Sequence, residues 1–80
     1  MLRLLDLIFV AINTVFDYNP YMHDVVEVDL AGYNSCVPGA SAVYHKYGNI
    51  WLTLGPGTRY FICSFPGHCE AGMKIAVTAQ

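Results

Sequence analysis

Charge is scarce in this chain. Only 12% of its 80 residues are Asp, Glu, Lys or Arg, and four basic residues stand against six acidic ones, for a net charge of −2. That balance supplies no positive field to draw the protein to nucleic acid or an acidic membrane surface. A long apolar run is missing as well. The most apolar stretch, MLRLLDLIFVAI at residues 1–12, is broken by Asp6; it falls short of the ~20 residues of a bilayer span and matches a secretory h-region poorly. It reads instead as a buried strand or a partly helical segment. No Asn-x-Ser/Thr sequon occurs, so no N-glycan is expected. Nor is a C-terminal lipid-anchor signal. An even set of cysteines is lacking too: with three, one thiol is left over for other work.

Apolar residues, by contrast, make up 55% of the chain, which argues for a folded protein rather than a disordered one. A chain this short forms one domain with a thin core, burying only a little over ~60% of its unfolded surface, so a staple or a metal would be useful. Beyond residue 12 the pattern is that of strands between turn clusters. INTVFDY is a candidate strand closed by Asn19-Pro20. In VVEVDL, Val26, Val28 and Leu30 fall on one face and Glu27 and Asp29 on the other, the alternation of a half-buried strand with an acidic outer face. AGYNSCVPGAS reads as a loop with one helical turn around Tyr33. SAVYH, NIWLTL, TRYFIC and MKIAVTA complete the set, with Trp51 expected in the core or on partly covered surface. Short strands at this spacing predict an all-β sandwich or barrel.

The chemistry is concentrated in YFICSFPGHCEAGMKIAV, residues 60–77. Cys63, His68 and Met73 recur at intervals of five with a Pro66-Gly67 turn between the first two. A loop folded back between adjacent strands brings a thiolate, an imidazole and a thioether to one point. Soft sulfur with imidazole suits copper in a His₂Cys site with a weak axial Met, which serves electron transfer. The second imidazole is assigned to His23, between the turn NPYM and the strand VVEVDL; His45, beside Lys46, reads as a solvated turn residue. Met22 reads as a packing residue beside the first ligand, and the tyrosines as core residues rather than a contact surface. Cys69 follows His68 and points away from any ion that His68 would bind. Pairing it with Cys36 would close a long loop, worth about 3–4 kcal/mol in the chain-entropy argument. A Cys63–Cys69 bridge is the alternative, and it would destroy the copper site.

FDYNPYMHDVVEVDLAGYNSC and YFICSFPGHCEAGMKIAV together resemble the phytocyanins, plant blue copper proteins of the cupredoxin fold, and among them the plantacyanin (basic blue protein) branch. The resemblance spans residues 13–80, leaving the apolar segment 1–12 unmatched. It implies a cupredoxin-like Greek-key β-sandwich in which His23, Cys63, His68 and Met73 bind one type 1 copper ion and Cys36 pairs with Cys69. It also implies an extracellular or apoplastic setting. The family opens with a longer N-terminal portion, so the sandwich is expected to lack its first strand or strands, and an uncovered sheet edge invites a dimer. Asp24 stands where the family carries an Asn whose amide ties the two ligand segments. A carboxylate has no N–H to donate, which predicts a weaker tie.

The function expected is a one-electron Cu(II)/Cu(I) shuttle rather than an enzyme, with electrons passing at the surface formed by Phe65, Pro66, Gly67 and His68. Its redox partner, small molecule or protein, is not specified by the sequence. A nucleophilic Cys63–His68 pair would explain neither Met73 nor His23. The alternatives are a copper-free binding or signalling module of the same fold, or an incomplete chain with a poorly formed copper site.

Overall fold

Among the described residues, runs of alternating and β-branched residues become six antiparallel strands, joined by turns and one short helix. The computed structural model describes residues 12–79; the apolar segment 1–12 lies outside them apart from Ile12. The strands are β1 (Ile12–Asp17), β2 (Val25–Val28), β3 (Val43–His45), β4 (Asn49–Leu54), β5 (Gly57–Ile62) and β6 (Lys74–Ala79), with helix α1 (Leu30–Ser35) between β2 and β3. β1 pairs with β4 in one sheet, and the other has the order β3-β2-β5-β6. All pairings are antiparallel. The all-β sandwich expected from the strand spacing is therefore present.

The two sheets meet over Phe16, Val25, Ile50, Leu54, Phe61 and Val77. The two-residue period of a strand explains the selection: Ile50 and Leu54 face inward, while Trp51 between them faces out and is 73% exposed rather than covered. Phe16 and Phe61 join the sheets directly, with ring centroids 5.0 Å apart and tilted by 50°. A second cluster of Val26, Val28, Ile62 and Cys69 lies apart from the first, with Tyr33, Cys36 and Tyr60 packed around it. Residues of β2 thus enter two clusters. Val25 belongs to the first and Val26 and Val28 to the second, so the simple in-and-out reading of VVEVDL understates its burial.

The acidic residues of that segment are also engaged rather than free. Glu27 receives Nε and Nη2 of Arg59 at 2.6 and 2.7 Å, a forked ion pair across β2 and β5. The hydrogen bond to Glu27 raises the Arg59 pKa further, against a smaller opposing effect of burial. Asp29, in an extended conformation, accepts from the Gly32 amide at 2.8 Å and so caps α1. Leu30 consequently begins a helix and is 52% exposed instead of extending the buried face of β2. The helix lies close against β2 at Gly32, where an added Cβ would come within 2.9 Å of Val28 Cβ. It stops at Cys36, whose φ of 60° is left-handed.

Candidate metal centre

Two segments meet at one end of the sandwich. The first runs from the end of β1 to the start of β2 and is shaped by Asn19-Pro20. The Asn19 side-chain oxygen accepts from the Tyr21 amide, and its carbonyl accepts from the amides of Met22 and His23 at 3.0 and 2.9 Å. An Asx turn of this kind reverses the chain with local bonds alone, and it delivers His23 to the mouth of β2. Tyr21 and Met22 turn out to solvent, 90% and 57% exposed, so Met22 is not the packing residue its position suggested. Tyr44 and Tyr47 are exposed too, whereas Tyr18, Tyr33 and Tyr60 are half-buried.

The second segment follows β5. The His68 amide donates to the Phe65 carbonyl at 3.0 Å while Gly67 holds φ at 80°. Pro then Gly at the two central positions is what a type II turn requires, because the third residue must take positive φ. Beyond it, the main chains of the three candidate donors bond to one another. The Cys63 amide donates to the Met73 carbonyl at 3.1 Å, and the Met73 amide donates to the His68 carbonyl at 3.0 Å. The fold thereby sets their spacing before any ion is considered.

Helix α1 grips this segment at two points. Cys36 and Cys69 form a disulfide, so the alternative Cys63–Cys69 bridge is excluded and Cys63 is left as a free, buried thiol. Lys74, next to Met73, donates to the Tyr33 carbonyl at 2.8 Å and lies over the Tyr33 ring, 4.5 Å from its centre.

The donors converge. His68 Nδ1 lies 3.4 Å from Cys63 Sγ and His23 Nδ1 lies 3.9 Å from it. The two imidazole centres are 5.0 Å apart, and one ligand atom from each residue falls within 4.8 Å of the others. Two donors bonded at about 2.0–2.3 Å to one ion, as in metal sites with N and S ligands, would stand roughly 3.6 Å apart in a trigonal plane. The observed separations fit such an ion. The donor set is soft sulfur with imidazole, which suits copper and not calcium or magnesium, whose ligands are oxygens. Met73 is half-buried and lines the same cavity as His23 and Cys63. His45 does not join the group; it closes β3, and its carbonyl accepts from the Tyr18 hydroxyl at 2.6 Å.

The plastocyanin-like domain family matches residues 10–73. The chain belongs to the phytocyanins. This phytocyanin is 54% identical over 65 residues to chemocyanin of Lilium longiflorum, an alignment covering 81% of this chain and 52% of that one. The structure is similar to cucumber basic protein, a blue copper protein, with a TM-score of 0.88 and 43% identity over 94% of this chain and 78% of the other. Spinach plantacyanin follows with a TM-score of 0.86 and 41% identity, over 94% and 82% of the two chains. The cupredoxin-like fold expected from the sequence is thereby shown. This phytocyanin spans about half the length of the curated relatives it matches.

One contact at the site runs against expectation. Asp24 is only 4% exposed, and its oxygens accept from the Ser64 amide at 2.6 Å and the Ser64 hydroxyl at 2.5 Å. The two ligand segments are therefore tied, with the carboxylate as acceptor and Ser64 as donor. The predicted weakening assumed that the tie needs a donor on the first segment. Ser64 next to Cys63 was the overlooked signal, since it offers both an N–H and an O–H.

Proposed function

We propose that this phytocyanin is a type 1 copper protein that carries one electron at a time, with His23, Cys63, His68 and Met73 as its ligands. The observation that carries the reading is the free, buried Cys63 thiol with two imidazole nitrogens turned toward it at 3.4 and 3.9 Å. Bound copper supplies the Cu(II)/Cu(I) couple; the protein supplies the frame. Cys63 would offer a thiolate, His23 and His68 would each offer an imidazole nitrogen, and Met73 would provide a weak further donor that tunes the potential. The hydrogen bonds among the backbones of Cys63, His68 and Met73 hold these donors still, so little has to rearrange when the charge changes.

Electrons would pass at His68. It is half-buried, beside exposed Pro66 and Gly67, and its ring stacks against Phe65 with 5.9 Å between centres and 21° between planes. The reading involves no bond-making step on a substrate, so the protein acts as a carrier and not an enzyme. A disulfide between Cys36 and Cys69 supports an oxidising, extracellular setting. Donor and acceptor partners are small molecules or proteins that meet the His68 face. Strands β3 and β6 end the four-stranded sheet among the described residues, and either edge offers a place for a second copy to pair; sedimentation at rising concentration tests that. A copper-free use of the fold would leave the thiol between two imidazoles without a purpose.

The test is titration of the purified chain with Cu(II). An intense blue charge-transfer band should develop at one equivalent, and Cys63→Ser should abolish it while leaving the disulfide and fold intact. A band that survives Cys63→Ser removes the thiolate from the account, and a folded wild type that takes up no copper defeats the reading.

A further inference from the structure

We infer that Asp24 is a fixed counter-charge for the metal centre, a positioning residue that biases it toward the oxidised state. The inference rests on the reading that the site binds copper. Asp24 is the sole buried charged residue among those described. It directly follows His23, and both of its oxygens accept from Ser64, which directly follows Cys63. Both Asp24 oxygens thus face donors of Ser64, an amide N–H and a hydroxyl, as a carboxylate acceptor requires. The described cations are committed elsewhere: Arg59 to Glu27, Lys74 to Tyr33, and Lys46 over the Tyr44 ring.

A buried charge is costly unless another charge compensates it, and hydrogen bonds to Ser64 supply only part of that compensation. The metal centre supplies the rest unequally. Counting the Cys63 thiolate, the Cu(II) centre carries one net positive charge and the Cu(I) centre none. With Asp24 included, the oxidised assembly is neutral and the reduced one is an uncompensated anion. Asp24 is one residue from a ligand and its donor, Ser64, one residue from another, so this difference is felt across a short, poorly solvated distance. The oxygens themselves do not join the cluster of candidate ligands, so the effect is that of a charge in place and not of an added bond.

The experiment is Asp24→Asn, which keeps the shape and the means of bonding to Ser64 while removing the charge. Cu(II) and Cu(I) affinities are measured separately by competition with chelators, and the midpoint potential by redox titration. The Cu(I)-to-Cu(II) affinity ratio should rise at least tenfold, equivalent to an upward shift of about 59 mV. Asp24→Ser, also uncharged, should shift in the same direction; Ser64→Ala, which keeps the charge and loosens the tie, should move the ratio much less. As a copper-free readout, apo Asp24→Asn should resist urea at least as well as apo wild type, since an amide costs less to bury than a carboxylate. An unmoved or lowered potential in both uncharged variants, or an equal shift in Ser64→Ala, overturns the inference while leaving the copper reading intact. A wild type that binds neither oxidation state defeats both.

Discussion

The two ligand segments solve the same problem in different ways. The first, from Asn19 to Asp24, presents one donor on a turn built from its own hydrogen bonds, and it touches the second through Asp24 and Ser64. The second, from Cys63 to Met73, carries three donors whose main chains are bonded to one another, and it is fastened to α1 by the disulfide and by Lys74. Local rigidity is enough to place one side chain. Holding several in a fixed relation takes a framework around them.

That contrast can be broken from the strong side first. Cys36→Ser combined with Cys69→Ser should lower the unfolding free energy by about 3–4 kcal/mol, read from urea denaturation of the apo protein, because the open chain regains the entropy of a long loop. Amide exchange should then quicken around His68 and Cys69 before it does so around Asn19. Next comes Gly67→Ala. A residue with a Cβ must hold φ near 80° or give up the turn, at a cost of about 1–2 kcal/mol, and the blue band should weaken or shift as His68 is displaced. On the first segment, Asn19→Ala removes the side-chain acceptor for Tyr21 but leaves the carbonyl bonds to Met22 and His23. About 0.5–1.5 kcal/mol should be lost, with little change in the spectrum. A loss of colour comparable to that of Gly67→Ala would show the first segment to depend on its turn as much as the second does. Smallest of all, Glu27→Gln should cost only about 0.5 kcal/mol, lessened further by salt, because the Arg59 pair is partly exposed; it should leave the metal site untouched.

The same contrast decides how much could be read in advance. Each strand lay where alternation and turn residues put it, since those signals are local. The type II turn was visible in Pro66-Gly67, and the donors of the second segment in their even spacing. The helical turn around Tyr33 was legible, but its start at Leu30 was harder. LAGYNS has a glycine inside and no apolar stripe, so only its capping by Asp29 and its packing on Val28 make it a helix. Trp51 was misplaced because alternation fixes which residues share a face but not whether anything covers it. The polarity of the Asp24 contact went unread for another reason: it depends on which group forty positions away it meets, and Ser64 signals it only once that pairing is known.

The mutual bonding of Cys63, His68 and Met73 through their main chains has an implication for change over time. Backbone amides and carbonyls are the same whatever side chain they carry, so a donor at Met73 can be exchanged without rebuilding the scaffold that aims it. Tuning and architecture are separable here, and a lineage or a designer is free to alter one while inheriting the other.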